Sequence, residues 1–270
     1  MPLLFTDPYL LIYAGLLGLL IGSFLNVVIR RVPHMLMDPS PTFNLITPAS
    51  HCPQCSHVIG VLENIPVLSY VFLLGRCKAC KTSISIRYPF IELLTALLTV
   101  LTVSHFGFSL ASGFAIVLVW SLIASSFIDL DHQIIPDDIT LPILWLGLFA
   151  NIFSVFTTPQ NAILGAIAGY LSLWTIYWMF KILTKKEGMG YGDFKLLALL
   201  GAWLGWQALP LIILLSSLLG SIIGLLLILI KKHTRSDPMP FGPYLALAGF
   251  IALLWGPKLN IYYFSFLSFF

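Results

Sequence analysis

Residues 139–180, ITLPILWLGLFANIFSVFTTPQNAILGAIAGYLSLWTIYWMF, decide the class of fold. These 42 residues contain no Asp, Glu, Lys or Arg. A hydrocarbon core about 30 Å thick is crossed by about 20 helical residues, so the stretch holds two spans. It breaks at Thr157, Thr158, Pro159, Gln160 and Asn161, where polar residues and a proline separate two apolar runs. Outward from it lie further uncharged stretches at 9–29, 106–128, 196–230 and 239–257, and an apolar run from Ile91 to Val103 interrupted only by Glu92. The stretch 196–230 is expected to break around Gly205, Trp206, Gln207 and Pro210. That leaves a first half of about 14 residues, roughly 21 Å of helix.

The pattern predicts an all-α polytopic membrane protein with about eight transmembrane helices near 9–29, 89–106, 109–128, 138–157, 162–181, 194–208, 209–230 and 241–257. Composition agrees. Of 270 residues, 59% are hydrophobic and 9% charged, where a soluble domain carries roughly 25% charged. Soluble, fibrous, disordered and disulfide-scaffold classes are excluded. The net charge of +3 is too small to argue for nucleic acid, so membrane lipid is the first expected partner.

With eight spans, Arg30, Arg31, Arg76, Lys78, Lys81, Arg87, Lys181, Lys185, Lys186, Lys195, Lys231, Lys232 and Arg235 fall on one side, and Lys258 alone on the other. The basic side is expected to be cytoplasmic. One long helix over 196–230 would move Lys231, Lys232 and Arg235 outside, which favours the split. No basic residue precedes the first span, so it reads as a retained helix and not a cleavable signal. The expected organisation is a first helix at 1–29, a cytoplasmic loop domain at 30–88 and a seven-helix membrane domain at 89–270, with no internal repeat.

All four cysteines lie in the large loop, as Cys52-Pro-Gln-Cys55 and Cys77-Lys-Ala-Cys80. Paired CxxC knuckles suit a tetrahedral zinc site. Two disulfides or four unrelated thiols are the alternatives, and a reducing cytosol disfavours disulfides. One zinc held by all four thiolates leaves no open position, so it would organise the loop and carry out no chemistry. His51 and His57 flank the first knuckle; either could replace a thiolate, but they read first as solvated loop histidines.

Five of the eleven acids are aspartates of two short loops: Asp129, Asp131, Asp137 and Asp138 after the third span, and Asp193 before the sixth. Asp129 ends one apolar helix and Asp193 precedes another, placing both where water gives way to lipid. Partial loss of hydration there disfavours the charged form of a carboxylate. Two such groups facing each other share a proton, one polarising a carbonyl while the other activates water, as in aspartic proteases. Gly188, Gly190 and Gly192 precede Asp193. Missing side chains there leave room for a substrate backbone, making Gly190 and Gly192 candidate substrate contacts. Asp137 and Asp138 suit the cap and first turn of the fourth span. Asp131 either joins Asp129 on a divalent cation or solvates the loop. His34, His105, His132 and His233 read as interfacial polar residues, and Trp203, Trp206, Tyr244 and Trp255 as interface-belt residues.

Glu187-Gly-Met-Gly-Tyr-Gly-Asp193 and Asp129-Leu-Asp-His-Gln-Ile-Ile-Pro-Asp137 resemble the GxGD motif and its paired motif in the bacterial type IV prepilin peptidases. The likeness continues through Gly22-Ser-Phe-Leu-Asn-Val-Val28, both cysteine pairs, Glu63-Asn-Ile-Pro-Val-Leu-Ser-Tyr70, Ile86-Arg-Tyr-Pro89 and Pro240-Phe-Gly-Pro-Tyr244. It implies a bifunctional enzyme of the bacterial inner membrane. Such an enzyme cuts the basic leader from type IV prepilins or type II secretion pseudopilins at the cytoplasmic face. It then N-methylates the new terminus with S-adenosylmethionine. The resemblance implies Asp129 and Asp193 as catalytic residues and Cys52, Cys55, Cys77 and Cys80 as zinc ligands. Nothing in the residues themselves points to methyl transfer. The competing classes are an ion-coupled transporter and a membrane phosphotransferase using the Asp129/Asp131 loop.

Overall fold

The computed structural model describes residues 8–38, 43–186, 188–230 and 239–267. Glu187, Lys231, Lys232, His233 and Arg235, to which the sequence assigns places, lie outside them. Among the described residues there are nine α-helices and no β-strand: α1 (Pro8–Met37), α2 (Leu68–Phe72), α3 (Arg87–Phe106), α4 (Leu110–His132), α5 (Asp137–Ile152), α6 (Pro159–Thr184), α7 (Tyr191–Leu204), α8 (Leu209–Leu229) and α9 (Gly242–Leu267). Five of the helical segments are long and apolar enough to cross a membrane: α1, α3, α4, α6 and the segment Trp206–Leu229. The chain is an all-α, multi-pass membrane protein.

The helix breaks have local causes. Thr158 caps α6, its hydroxyl accepting the Asn161 N–H at 3.3 Å, with Pro159 beginning the helix. Between α7 and α8 the chain turns at Gly205, whose φ of +81° suits glycine, then passes through a short 3-10 turn at Trp206–Ala208. Pro210 falls in the first turn of α8, where a missing N–H costs nothing, and so does not break the chain itself. Two other boundaries differ from expectation. α1 continues past Arg30 to Met37, and α4 continues past Asp129 to His132. α1 runs on through Pro33, which it accommodates within the helix, and α4 meets no Pro or Gly after Asp129 and stops where Gln133 turns left-handed, φ +54°.

The chain forms two compact units, residues 1–120 and 121–270. In the first, Gly18 and Gly22 of α1 lie against α3. A Cβ there would come within 2.6 Å of the Ala96 Cα and 2.7 Å of the Glu92 Cα. This four-residue spacing of glycines lets two backbones meet in a medium where apolar burial gives no driving force. Polar groups tie the same pair to the loop that follows α1. Buried Glu92 accepts the Val67 N–H at 2.8 Å, and Asn26 donates to the Tyr88 carbonyl at 3.2 Å. Buried Arg31 donates to the carbonyls of Asn44 (2.8 Å) and Pro48 (2.6 Å).

In the second unit α7 is central, with every residue from Leu196 to Trp203 buried. Gly165 and Gly169 of α6 meet it so closely that a side chain at Gly201 would collide with the Gly165 carbonyl. Trp203 is a correction to the expected interface belt. It is fully buried, its indole seated over Gly147 and donating to the Ile143 carbonyl at 2.8 Å. Buried Asn151 closes the same end of α7. It donates to the carbonyls of Ala202 and Trp203 and accepts the N–H groups of Phe156 and Thr157.

Candidate active site and candidate metal centre

In the first unit, the two cysteine pairs form the same turn twice. The Cys52 N–H donates to the His57 carbonyl, and the Ser56 N–H returns to the Cys52 carbonyl. The Cys77 N–H donates to Thr82, and the Lys81 N–H returns to Cys77. Ser56 (φ +56°) and Lys81 (φ +61°) occupy the equivalent left-handed corner, and the isolated bridges His51–Val58 and Arg76–Ser83 close both turns. This structural repeat escaped the sequence reading because only the cysteine spacing is shared.

All four Sγ atoms lie within 4.8 Å of one another, with Cys52–Cys80 at 3.8 Å and Cys55–Cys77 at 3.9 Å. A tetrahedral ion with 2.3 Å bonds to sulfur requires S···S separations of about 3.8 Å. The donor set therefore fits one metal ion. Its electrostatics point the same way. Hydrogen bonding with the Thr82 side chain and backbone pulls Cys80 down to about 6. The His57 backbone favours the Cys55 thiolate, yet burial and the neighbouring thiols push that group up to about 11. Four thiolates this close repel, and a cation relieves the repulsion. His57 is not a free loop histidine. Its Nε2 pairs with Glu63 at 2.9 Å, and Lys78 reaches the same carboxylate at 3.1 Å. The His57 hydrogen bond, then Lys78, hold Glu63 below the usual carboxylate range and join the two knuckles through one acid.

In the second unit, Asp129 and Asp193 are both buried, 5% and 6% exposed, and are close enough to act on one another electrostatically. Their helical settings differ. Asp193 occupies the third position of α7, whose N-cap is Gly190. An acid there reaches back to the N-cap N–H and faces the positive end of the helix. Asp129 lies in the last turn of α4, at the negative end of that helix. The opposing donor comes from elsewhere: the N–H of Gly242, first residue of α9, donates to Asp129 Oδ2 at 2.9 Å. Each carboxylate thus accepts a backbone N–H from a helix N-terminus.

The glycines do different work. A Cβ on Gly190 would meet only Asp193 Oδ2, at 3.7 Å, leaving open space. One on Gly192 would press on Ile135 at 2.8 Å, and one on Gly242 would come 2.7 Å from Asp129 Oδ2 and 3.0 Å from Ile135 Cδ1. Buried Ile135 therefore wedges between the turn that carries Asp193 and the Gly242 turn whose N–H holds Asp129. Sequence reasoning missed both Ile135 and Gly242 as site residues. The only signal was their place inside the two motifs. Tyr177 and Tyr191 pack on Phe194 at ring separations of 5.5 Å each, fixing α6 against the start of α7. Asp137 and Asp138 lie in the first turn of α5, but the N-cap is Pro136, and Asp137 pairs with Lys195 at 2.6 Å. Asp131 is exposed and two residues from Asp129, so the two carboxylates point to different sides of α4.

The profile of the bacterial peptidase A24 N-terminal domain matches residues 16–106, and that of the type IV leader peptidase family matches residues 116–225. The chain is similar to proteins named prepilin leader peptidase/N-methyltransferase. The Pseudomonas aeruginosa relative is 52% identical over 270 residues, covering 94% of this chain and 93% of the relative. Those of Aeromonas hydrophila (53%; 92% and 91% covered) and Legionella pneumophila (42%; 94% and 94%) are similar over the same extent. No solved structure matches the chain.

Proposed function

The chain belongs to the type IV leader peptidase family, and on that premise we propose that it is a prepilin leader peptidase and N-methyltransferase whose hydrolytic pair is Asp129 and Asp193. The observation that carries the reading is the convergence of these two buried carboxylates, each held by one backbone N–H, beside the open position at Gly190. In the reaction one carboxylate removes a proton from water while the other, protonated, donates a hydrogen bond to the scissile carbonyl. The tetrahedral intermediate collapses as the proton passes to the leaving amine. A helical carbonyl is already hydrogen-bonded, so the substrate unwinds at the cut. Gly190 lines its path by leaving space, whereas the space at Gly192 is taken by Ile135. The substrates are type IV prepilins or type II secretion pseudopilins.

Eight spans in the bacterial inner membrane place residues 30–88, Asp129 and Asp193 on the cytoplasmic face, the side marked by the basic residues. Cys52, Cys55, Cys77 and Cys80 bind one structural zinc ion, which would fix the fold of the loop domain. The second activity, methylation of the new N-terminus from S-adenosylmethionine, is supported by the family. Among the described residues there is no strand-to-helix glycine loop of the kind that holds adenosyl cofactors, and no residue is assigned to the methyl donor. Neither a transporter nor a phosphotransferase gains support from the divergent Asp129 and Asp131.

The test is mass analysis of a prepilin incubated with purified enzyme, with and without S-adenosylmethionine. Leader loss followed by the gain of one methyl is expected. Asp129→Asn and Asp193→Asn should each abolish leader loss while the protein stays folded. Near-normal cleavage by either variant removes that residue from the pair.

A further inference from the structure

An open groove of about 840 Å³ runs between α6 and α8, bounded by Ala168 and Ser172 on one side and by Leu209, Leu214, Ser217 and Ser221 on the other. A second hollow of about 340 Å³ shares Ser217 and Ser221 with it. That hollow is walled by Met189, the residue before Gly190, and Phe241, the residue before Gly242. The groove therefore continues to the two turns whose N–H groups hold Asp193 and Asp129.

Its dimensions suit one occupant. Leu209 and Ser221 are twelve residues apart on α8, about 18 Å. A helix 10–12 Å wide, half sunk along that length, displaces roughly 700–1,000 Å³, which brackets the observed volume. Among the described residues, no charged side chain lines either hollow. Ser217 and Ser221, four residues apart and exposed, let a second backbone approach and offer hydroxyls of the kind that bond across helices in lipid.

We propose that this groove holds the apolar helix of the prepilin, with the helix end nearest the leader emerging at Met189 and Phe241. There the helix loses its groove wall and unwinds toward the carboxylates. The proposal rests on the leader-peptidase reading.

Two measurements test it. A photoreactive residue at Leu214, in an Asp129→Asn chain reconstituted with prepilin, is expected to cross-link to prepilin, and one at exposed Phe149 on α5 is not. Adducts to lipid alone at Leu214 overturn the proposal. In the second, Ala168→Trp and Ser217→Trp fill the groove of the otherwise unaltered chain. Both should lower kcat/KM for full-length prepilin about tenfold and leave a soluble leader peptide that ends shortly after the cut within about twofold of the unaltered enzyme. Unchanged cleavage of full-length prepilin, or equal loss on both substrates, overturns the groove assignment. If the unaltered enzyme cleaves neither substrate, the leader-peptidase reading itself falls, and the groove assignment with it.

Discussion

Replacing Gly242 with alanine separates catalysis from stability at one position. The added Cβ would lie 2.7 Å from Asp129 Oδ2, where ordinary contact begins near 3.4 Å, so the carboxylate must retreat by about 0.7 Å. It is the free end of a side chain, so folding tolerates the movement. Alanine also favours a helix over glycine, by up to about 1 kcal/mol in a helix interior. Catalysis does not tolerate it. A misplacement of about 1 Å costs up to about a hundredfold in rate. Loss of a hydrogen bond to a charged acceptor costs about 1.5–3 kcal/mol. Both converge on about 2 kcal/mol, or about a thirtyfold fall in kcat. The assay is leader release from prepilin followed by mass, alongside thermal unfolding of the purified protein. Gly256→Ala on the same helix is the control, because its nearest neighbour would be the Ala252 Cβ at 3.8 Å. A Gly242→Ala enzyme with kcat within about threefold of the parent would refute the claim that this backbone N–H positions Asp129.

Asn151→Ala leaves two carbonyls and two N–H groups at the end of α7 without their partner, a loss of about 3 kcal/mol. Thermal unfolding in detergent should shift down by about 6–12 °C, and a negligible shift would mean that water replaces the amide. Gly201→Ala drives a methyl into the Gly165 carbonyl and should destabilise by about 3 kcal/mol, seen as reduced yield in membranes and a lower unfolding temperature. An unchanged yield and temperature would show that α6 and α7 separate freely. Cys77→Ser should lower bound zinc well below one ion per chain and accelerate amide exchange across residues 50–84. Retention of a full equivalent with unaltered exchange would place the fourth ligand elsewhere.

Much of this molecule is readable because the bilayer leaves few options. A backbone in hydrocarbon must satisfy its own hydrogen bonds, so uncharged stretches of span length become helices and polar breaks such as Thr158-Pro159 become turns. CxxC spacing predicts convergence on one centre because a two-residue spacer geometrically brings two thiols together, and the four sulfurs do cluster. Contacts between distant segments carry no such local signature. Trp203 lies near a span end and reads as an interface residue, yet the missing side chain of Gly147, 56 positions away, gives it a buried seat. His57 reads as a solvated loop histidine, yet it pairs with Glu63, six positions on, and through it with Lys78 of the other knuckle.

The sequence alone determined that the chain is an all-α membrane protein and that its scarce acids concentrate in two segments, because hydrophobicity and charge are properties of residues taken one at a time or in short windows. Only the tertiary structure decided how those acids are held. Asp193 takes its donor from its own helix N-terminus, a local arrangement. Asp129, at the unfavourable end of α4, depends on an N–H from Gly242, 113 residues further on. That pairing comes from packing, which joins groups by proximity in space and leaves no mark on the spacing of residues along the chain.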